Sequence, residues 1–445
     1  MGRTLKTATA TPSLAGLATT GLLIAGLVGA VPAFAQDVKR MPPMAASLEA
    51  PDLAEIGRAH SLAVRNDTLY VGASGGLAAI DATGKLKWTL KLPAVSSRHV
   101  EADADHVAYT SYDVVGLVAG GGAAAVLTWG DNSRKLEISS ADAGLVTLQG
   151  EPVWSVKFEE PSALSVPTLG KTAVAVVGAK SMRVLDRAKG TKSADVGMFT
   201  NWLGVADSNV TRVAATPALL IGDEFVAAHQ SWFKKVDAKG EEVLSVRAKV
   251  QHTAGPMSCK GALLIGESAY PQGNIFTGKK ARFWAIGPKG EEVWKATIDD
   301  EAGGVGSLAC NDELIFAASN AIVVAVDGAG KQVWEATNDR SGRLFPGTYR
   351  GVVRVRDIFN NAGPAVARSV TAGRQMLVAG PYLYITTRSA PDVKATEDVI
   401  TVLDAKSGAF VAAYEVKTSV IDMAVFGKDL VLATGDGLKL IGLKQ

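Results

Sequence analysis

The chain has 445 residues, 47% of them hydrophobic and 20% charged, with a formal net charge of +2. A near-neutral balance excludes a general polyanion binder, so nucleic acid is not an expected partner. The length exceeds that of an average domain, which makes internal repetition the first thing to look for.

Residues 1–35 read as a secretory leader: Arg3 and Lys6 start it, Leu14 to Val31 is largely apolar, and Ala33-Phe34-Ala35 precedes Gln36 as a small-x-small cleavage site. No Cys follows the apolar stretch, so no lipid anchor is expected, and no later segment is apolar for long enough to cross a bilayer. The expectation is a cleaved leader and a soluble periplasmic protein. Residues 36–50, with Met41-Pro-Pro-Met44, read as an extended tail, and residues 51–445 as one domain.

From there a short unit recurs. Ala-Ala-Ile-Asp81-Ala-Thr-Gly84-Lys-Leu-Lys-Trp88 is matched by Val-Ala-Val-Asp327-Gly-Ala-Gly330-Lys-Gln-Val-Trp334. A copy around Gly290 and Trp294 has Gly287 in place of Asp, and a copy at Asp237 and Gly240 has Leu244 in place of Trp. Each copy predicts a buried strand, a tight turn closed by Asp and a positive-φ Gly, and a returning strand whose Trp fills the wedge between sheets. Asp81, Gly84, Trp88, Asp237, Gly240, Gly290, Trp294, Asp327, Gly330 and Trp334 are therefore turn and packing residues. A second hairpin precedes each copy, as in Val-Arg-Asn66-Asp67-Thr. Four antiparallel strands, A to D, make one unit, and such a sheet hides its faces by radial stacking.

Turn anchors at Asp81, Thr147, Asp186, Asp237, Gly287, Asp327, Asp404 and Asp436 predict an all-β, eight-bladed β-propeller, with seven blades as the fallback. The final blade stops after its third strand, and a strand around Leu53 to Arg58 is expected to close the ring. Cys259 and Cys310 fall at equivalent places in adjacent blades, where an oxidising compartment permits a disulfide.

These repeats resemble the PQQ-like propeller repeat, with its apolar-Asp turn and following Trp, across residues 50–445. The resemblance implies one of two classes. One is the quinoprotein dehydrogenases, which hold pyrroloquinoline quinone and calcium in the central channel; the other is the BamB-like family of non-catalytic outer-membrane assembly scaffolds. The chain has no vicinal Cys pair and no Cys-x-x-Cys-His, and its five His lack metal-ligand spacing. Asp357, Asn360 and Asn361 share one loop rather than converging. No catalytic, cofactor-binding or metal-binding residue is assigned, and the quinoprotein reading stands as the alternative.

The scaffold reading needs a surface. In a propeller the B–C and D–A connections share one face, and here they carry the insertions: Tyr112 to Ala143 with Gly120-Gly-Gly122 and Trp129, Ser268 to Lys280, and Asn201-Trp202. The longest link, between blades six and seven, holds Arg340, Arg343, Phe345, Tyr349, Arg350, Arg354 and Arg356, the composition of a protein-binding hot spot. The expected partner is an envelope protein, with the β-barrel assembly machinery as the family's example, bound by a chain that is monomeric on its own.

Overall fold

The computed structural model describes residues 41–119, 134–178, 181–197, 217–229, 232–247, 252–259, 262–267, 281–298, 305, 307–318, 322–337, 376–388 and 398–444. Among them there is no helix, and the strands form eight antiparallel sheets, seven of four strands and one of three. The sheets follow chain order as blades 1 to 8. Their first strands are 1A (Ala59–Arg65), 2A (Ser97–Ala102), 3A (Thr168–Leu169), 4A (Leu219–Ile221), 5A (His252–Cys259), 6A (Ser307–Cys310), 7A (Met376–Ala379) and 8A (Val420–Phe426). Each A strand touches the A strands of both neighbouring blades, and 8A touches 1A, so the ring is closed. This is an eight-bladed β-propeller.

Strand periodicity builds the core. Along 1B (Thr68–Ala73), Leu69, Val71 and Ala73 face blade 8, and Tyr70 faces blade 2. Both faces of the middle strands are covered, which is why their sequences are nearly continuous apolar runs. Eight clusters of buried apolar residues result, one in each seam between neighbouring blades.

The repeated Asp closes the C–D turn. Asp81 Oδ1 accepts from Thr83 N at 2.8 Å and Lys85 N at 3.0 Å, and Asp237 and Asp327 repeat the pattern. Where Asp is missing another oxygen serves: Thr147 Oγ1 accepts from Glu151 N at 3.1 Å, and the Glu291 carboxylate accepts from Lys289 N at 2.9 Å beside Gly287. The turn glycines have φ between 69° and 86° (Gly84, Gly150, Gly190, Gly240, Gly290, Gly330, Gly408), a region closed to most side chains.

Their partners lie one blade back. Trp88, Trp154, Trp294 and Trp334, on the D strands of blades 1, 2, 5 and 6, each lay an indole against the turn Gly of the next blade. Each Nε1 also donates to a carbonyl of that turn: Leu148 at 2.8 Å, Arg187 at 2.7 Å, Gly328 at 3.0 Å and Ala405 at 3.0 Å.

Three expectations are corrected. Residues Leu53 to Ile56 form a turn, not the closing strand, with Ile56 N and Gly57 N both donating to Leu53 O. The closing segment lies earlier, where Gly442 N donates to Met44 O at 3.0 Å and the buried Asp429 carboxylate accepts from Ser47 N, Ser47 Oγ and Leu48 N. Met41 pairs with Tyr414 on the outer strand of blade 7, so part of the expected tail is a strap across blades 7 and 8. Secondly, Asp436 lies before 8C (Gly437–Gly442), in the B–C turn, and Gly442 takes the position of Asp81. Thirdly, the described flanks of the blade 2 insertion lengthen two strands, and residues 120–133 between them, with Gly120-Gly-Gly122 and Trp129, lie outside the described residues. His106–Ala119 and Arg134–Thr147 stay paired from His106↔Thr147 to Ala119↔Arg134.

Candidate functional site

Chain direction fixes one face: every A strand starts, and every B strand ends, on the side of the B–C and D–A connections. Buried polar side chains of blades 7, 8, 1, 2 and 3 gather there. They include His60, Ser61, Ser97, Arg98, His99, Thr110, Ser165, Thr386, Asp398, Asp422 and Thr434. A buried polar group must be bonded or it destabilises the fold, and here the bonds run between blades.

Asp422 Oδ2 on 8A accepts from Leu62 N on 1A at 2.8 Å. His60 Nδ1 accepts from Arg98 N at 3.2 Å, and Ser61 Oγ from Val100 N at 3.2 Å, tying 1A to 2A. Thr110 Oγ1 donates to Ser165 O at 2.6 Å, linking blades 2 and 3, and Asp398 Oδ2 accepts from Val420 N at 2.7 Å, linking 7 and 8. The polar layer thus stitches blades 7, 8, 1, 2 and 3 to one another.

Arg98 is the largest group in the layer and 1% exposed. Its guanidinium donates to Ala73 O at 2.7 Å, Ser74 O at 3.1 Å and Pro93 O at 2.8 Å, fixing the B–C turn of blade 1 and the link into blade 2. Burial lowers its pKa to about 10, opposed by Tyr109 and Asp142. Burial also lowers His99 to about 4, against the pull of Asp422. For His60, burial and then the neighbouring His99, Arg58 and Arg98 bring the value to about 3. Both imidazoles are neutral at pH 7.

Ser97 Oγ lies 3.2 Å from His99 Nε2, a pairing that elsewhere activates a nucleophile. Here both residues are buried, and the same hydroxyl also bonds Tyr112. With its basicity so depressed, His99 suits a structural bond better than general-base work.

On the opposite face, Asp103, Asp105 and His106 bring ligand atoms within 4.8 Å of one another. Arg187 already fills that space, with Nη1 2.6 Å from Asp103 Oδ2 and Nη2 3.0 Å from His106 Nδ1. Burial would raise the Asp103 carboxyl, but its hydrogen bonds, chiefly from Arg187, hold it below the ordinary carboxylate value. The cluster is a link from blade 2 to blade 3, with the cation supplied by the protein.

Cys259, at the end of 5A, and Cys310, at the end of 6A, are disulfide-bonded, their Cα atoms 6.4 Å apart. The residues expected to bind a partner, Trp129, Trp202, Arg340, Arg343, Phe345, Tyr349, Arg350, Arg354 and Arg356, lie outside the described residues, as do Asp357, Asn360 and Asn361 and the whole of residues 1–35. Sequence reasoning did not single out the polar layer. Its one signal is the recurrence of Ser, His or Asp where the A strands begin.

The sequence profile of the family described as outer membrane protein assembly factor BamB matches residues 37–286. No curated protein matches. Among solved structures, BamB from Moraxella catarrhalis aligns at 12% identity over 87% of this chain and 85% of its own, with a TM-score of 0.41. Sqt1 from Saccharomyces cerevisiae aligns at 9% identity over 88% of this chain and 97% of its own, with a TM-score of 0.52, a likeness in fold alone. With more than half of its length matched by that profile, the chain belongs to the family of the outer membrane protein assembly factor BamB.

Proposed function

We propose that this propeller is a non-catalytic scaffold of the cell envelope that binds a protein partner through its B–C and D–A face. The observation that carries the reading is the blade 2 hairpin. Pairing of strand 2A with His106–Ala119 stops at Ser97↔Tyr112, yet the two middle strands of the blade run on together to Ala119↔Arg134. A strand pair that runs on past the edge of its blade is the kind of surface elaboration that serves recognition. Family membership agrees, since the matched family is that of an assembly factor. The disulfide suits an exported chain, and the leader expected in residues 1–35 gives the route. No helix among the described residues is long and apolar enough to cross a membrane.

The test is affinity capture from envelope extracts with the full chain and two variants. One replaces residues 116–137 by a two-residue turn, and the other reverses Arg340, Arg343 and Arg350 to Glu. Loss of the same retained protein from either variant, with the circular dichroism of the parent, supports the reading. Retention by both overturns the assignment of this face.

A further inference from the structure

Blade 8 is the one described sheet with three strands, so 8C (Gly437–Gly442) is its outer edge. Gly442 N turns away from 8B (Asp429–Thr434) toward Met44 O, and in an antiparallel pair Leu440 and Leu438 turn their N–H and C=O the same way. Neither has a backbone partner on that side among the described residues. Residues 437–440 are half-exposed accordingly. By contrast 1C (Gly76–Asp81) and 7C (Asp398–Asp404), which are covered by fourth strands, are buried up to their last residue.

The strap occupies the Gly442 end of this edge. Ser47 and Leu48 give the Asp429 carboxylate three hydrogen bonds, and Met44 O accepts from Gly442 N. Leu48 lies against Gly84, where blade 1 in its turn lays the indole of Trp88 against Gly150. The hold is polar and shallow: of residues 41–50 only Ala46 and Leu48 are even half-buried. Ring closure does not depend on it, because Leu53 and Ile56 are buried in the 8–1 seam and Asp422 bonds Leu62 there. Residues Glu49 to Asp52 can therefore serve as a pivot on which the strap lifts while blades 8 and 1 stay together.

We propose that the outer edge of blade 8 is an acceptor site for an extended segment of a partner protein, and that the strap is its displaceable occupant. The bonds of the strap define the ligand. It offers a Ser or Thr whose hydroxyl and N–H, with the next N–H, reach Asp429; an apolar residue follows to cover Gly84, and a preceding carbonyl takes Gly442 N. With the strap displaced, the incoming chain runs on along 8C and pairs with Leu440 and Leu438 as the missing fourth strand. Asp429 and Gly442 lie on the A–B and C–D side, opposite the face proposed above for a partner, so either surface can fail its test without the other.

A labelled peptide of residues 39–50, titrated into the full chain and followed by fluorescence anisotropy, tests this. Saturable binding is expected, weakened about tenfold when the peptide carries Ser47→Ala, the factor for about 1.4 kcal/mol from one hydrogen bond to a carboxylate. The same substitution in the chain should act the other way and tighten binding of the unsubstituted peptide, because its own strap competes less. A role in stability alone would not produce that reversal. Bound peptide should also speed hydrogen exchange at residues 41–49 and slow it at residues 438–442. No saturable binding to a folded Ser47→Ala chain, or binding that leaves exchange at both segments unchanged, overturns the proposal. So does a dimer of the chain alone that the peptide dissociates, which would give the site to the strap of a second copy.

Discussion

The indole of Trp334 lies over Gly408, so close that a Cβ on the glycine would come within 2.5 Å of the ring, while its Nε1 reaches the carbonyl of Ala405 in the same turn. The two residues belong to different blades. The glycine therefore has two constraints, a φ of 73° and a ring in contact. Gly408→Ala should destabilise the protein by about 1–3 kcal/mol, the usual range for overpacking and a left-handed non-glycine residue. Gly328→Ala is the control: nothing lies within 4 Å of its Cβ, so the change should stay within about 0.5 kcal/mol. Urea unfolding of both variants decides; equal effects would show that the ring contact is not what constrains Gly408.

The strap hangs on Asp429. This fully buried carboxylate accepts three hydrogen bonds from Ser47 and Leu48. Asp429→Asn keeps the shape but turns part of the acceptor into a donor facing donors, which should destabilise by about 1–3 kcal/mol. The cut site should be local: limited proteolysis should release residues 41–49 well before the blades are cleaved. Unchanged protection there would mean that Met41 and Met44 hold the strap by themselves.

Acid should loosen the seams around blade 1. His60 and His99 have folded pKa values of about 3 and about 4 against 6.5 when free. A depressed base means that the unfolded chain binds more protons, so the stability these residues contribute is complete above pH 6.5 and is lost as pH falls toward 4. Each contributes a slope of up to about 1.4 kcal/mol per pH unit in that window. His60→Asn, whose Oδ1 can take the Arg98 N–H, should flatten the loss. If thermal stability between pH 7 and 4.5 falls equally steeply in the variant, His60 is not one of the groups responsible.

Arg187 stands in for a metal. Adding calcium or zinc to the wild-type chain should leave its melting temperature unchanged. Arg187→Met strands Asp103, which then loses its depressed pKa, and should cost about 3–5 kcal/mol as a broken, partly buried pair, less to the extent that water screens the carboxylates. Metal-dependent stabilisation of the wild type would show that the guanidinium can be displaced.

Reduction of Cys259–Cys310 opens a loop of 51 residues, for which chain entropy predicts a loss of about 4 kcal/mol. Melting with and without reductant measures it. A shift no larger than that of Cys259→Ser/Cys310→Ser treated the same way would place the effect elsewhere.

The blade count could be read from the sequence because turn chemistry is local: Asp and Gly three or four residues apart announce a hairpin whatever surrounds them. The wedge role of Trp was legible as well, but not its partner, since Trp334 and Ala405 are 71 residues apart. The closing segment was misplaced for a related reason. Leu53 and Ile56 look like strand residues because they are buried in the 8–1 seam, yet they reach it from a turn, and Asp429 carries no sign that Ser47 is its partner. The polar layer escaped notice because its bonds from Asp422, His60, Ser61, Thr110 and Asp398 join different blades.

The strap has a consequence for the timing of folding. Ser47 and Asp429 are separated by 382 positions, so no bond between them can form until nearly the whole propeller has been synthesised and, if exported, translocated. Until then the early blades wait as an open arc, with the seam-facing side of blade 1 bare, including Leu62, Leu69, Val71 and Ile80. That side is a natural place for an escort protein to sit during biogenesis, and its occupancy should end when Asp429 arrives.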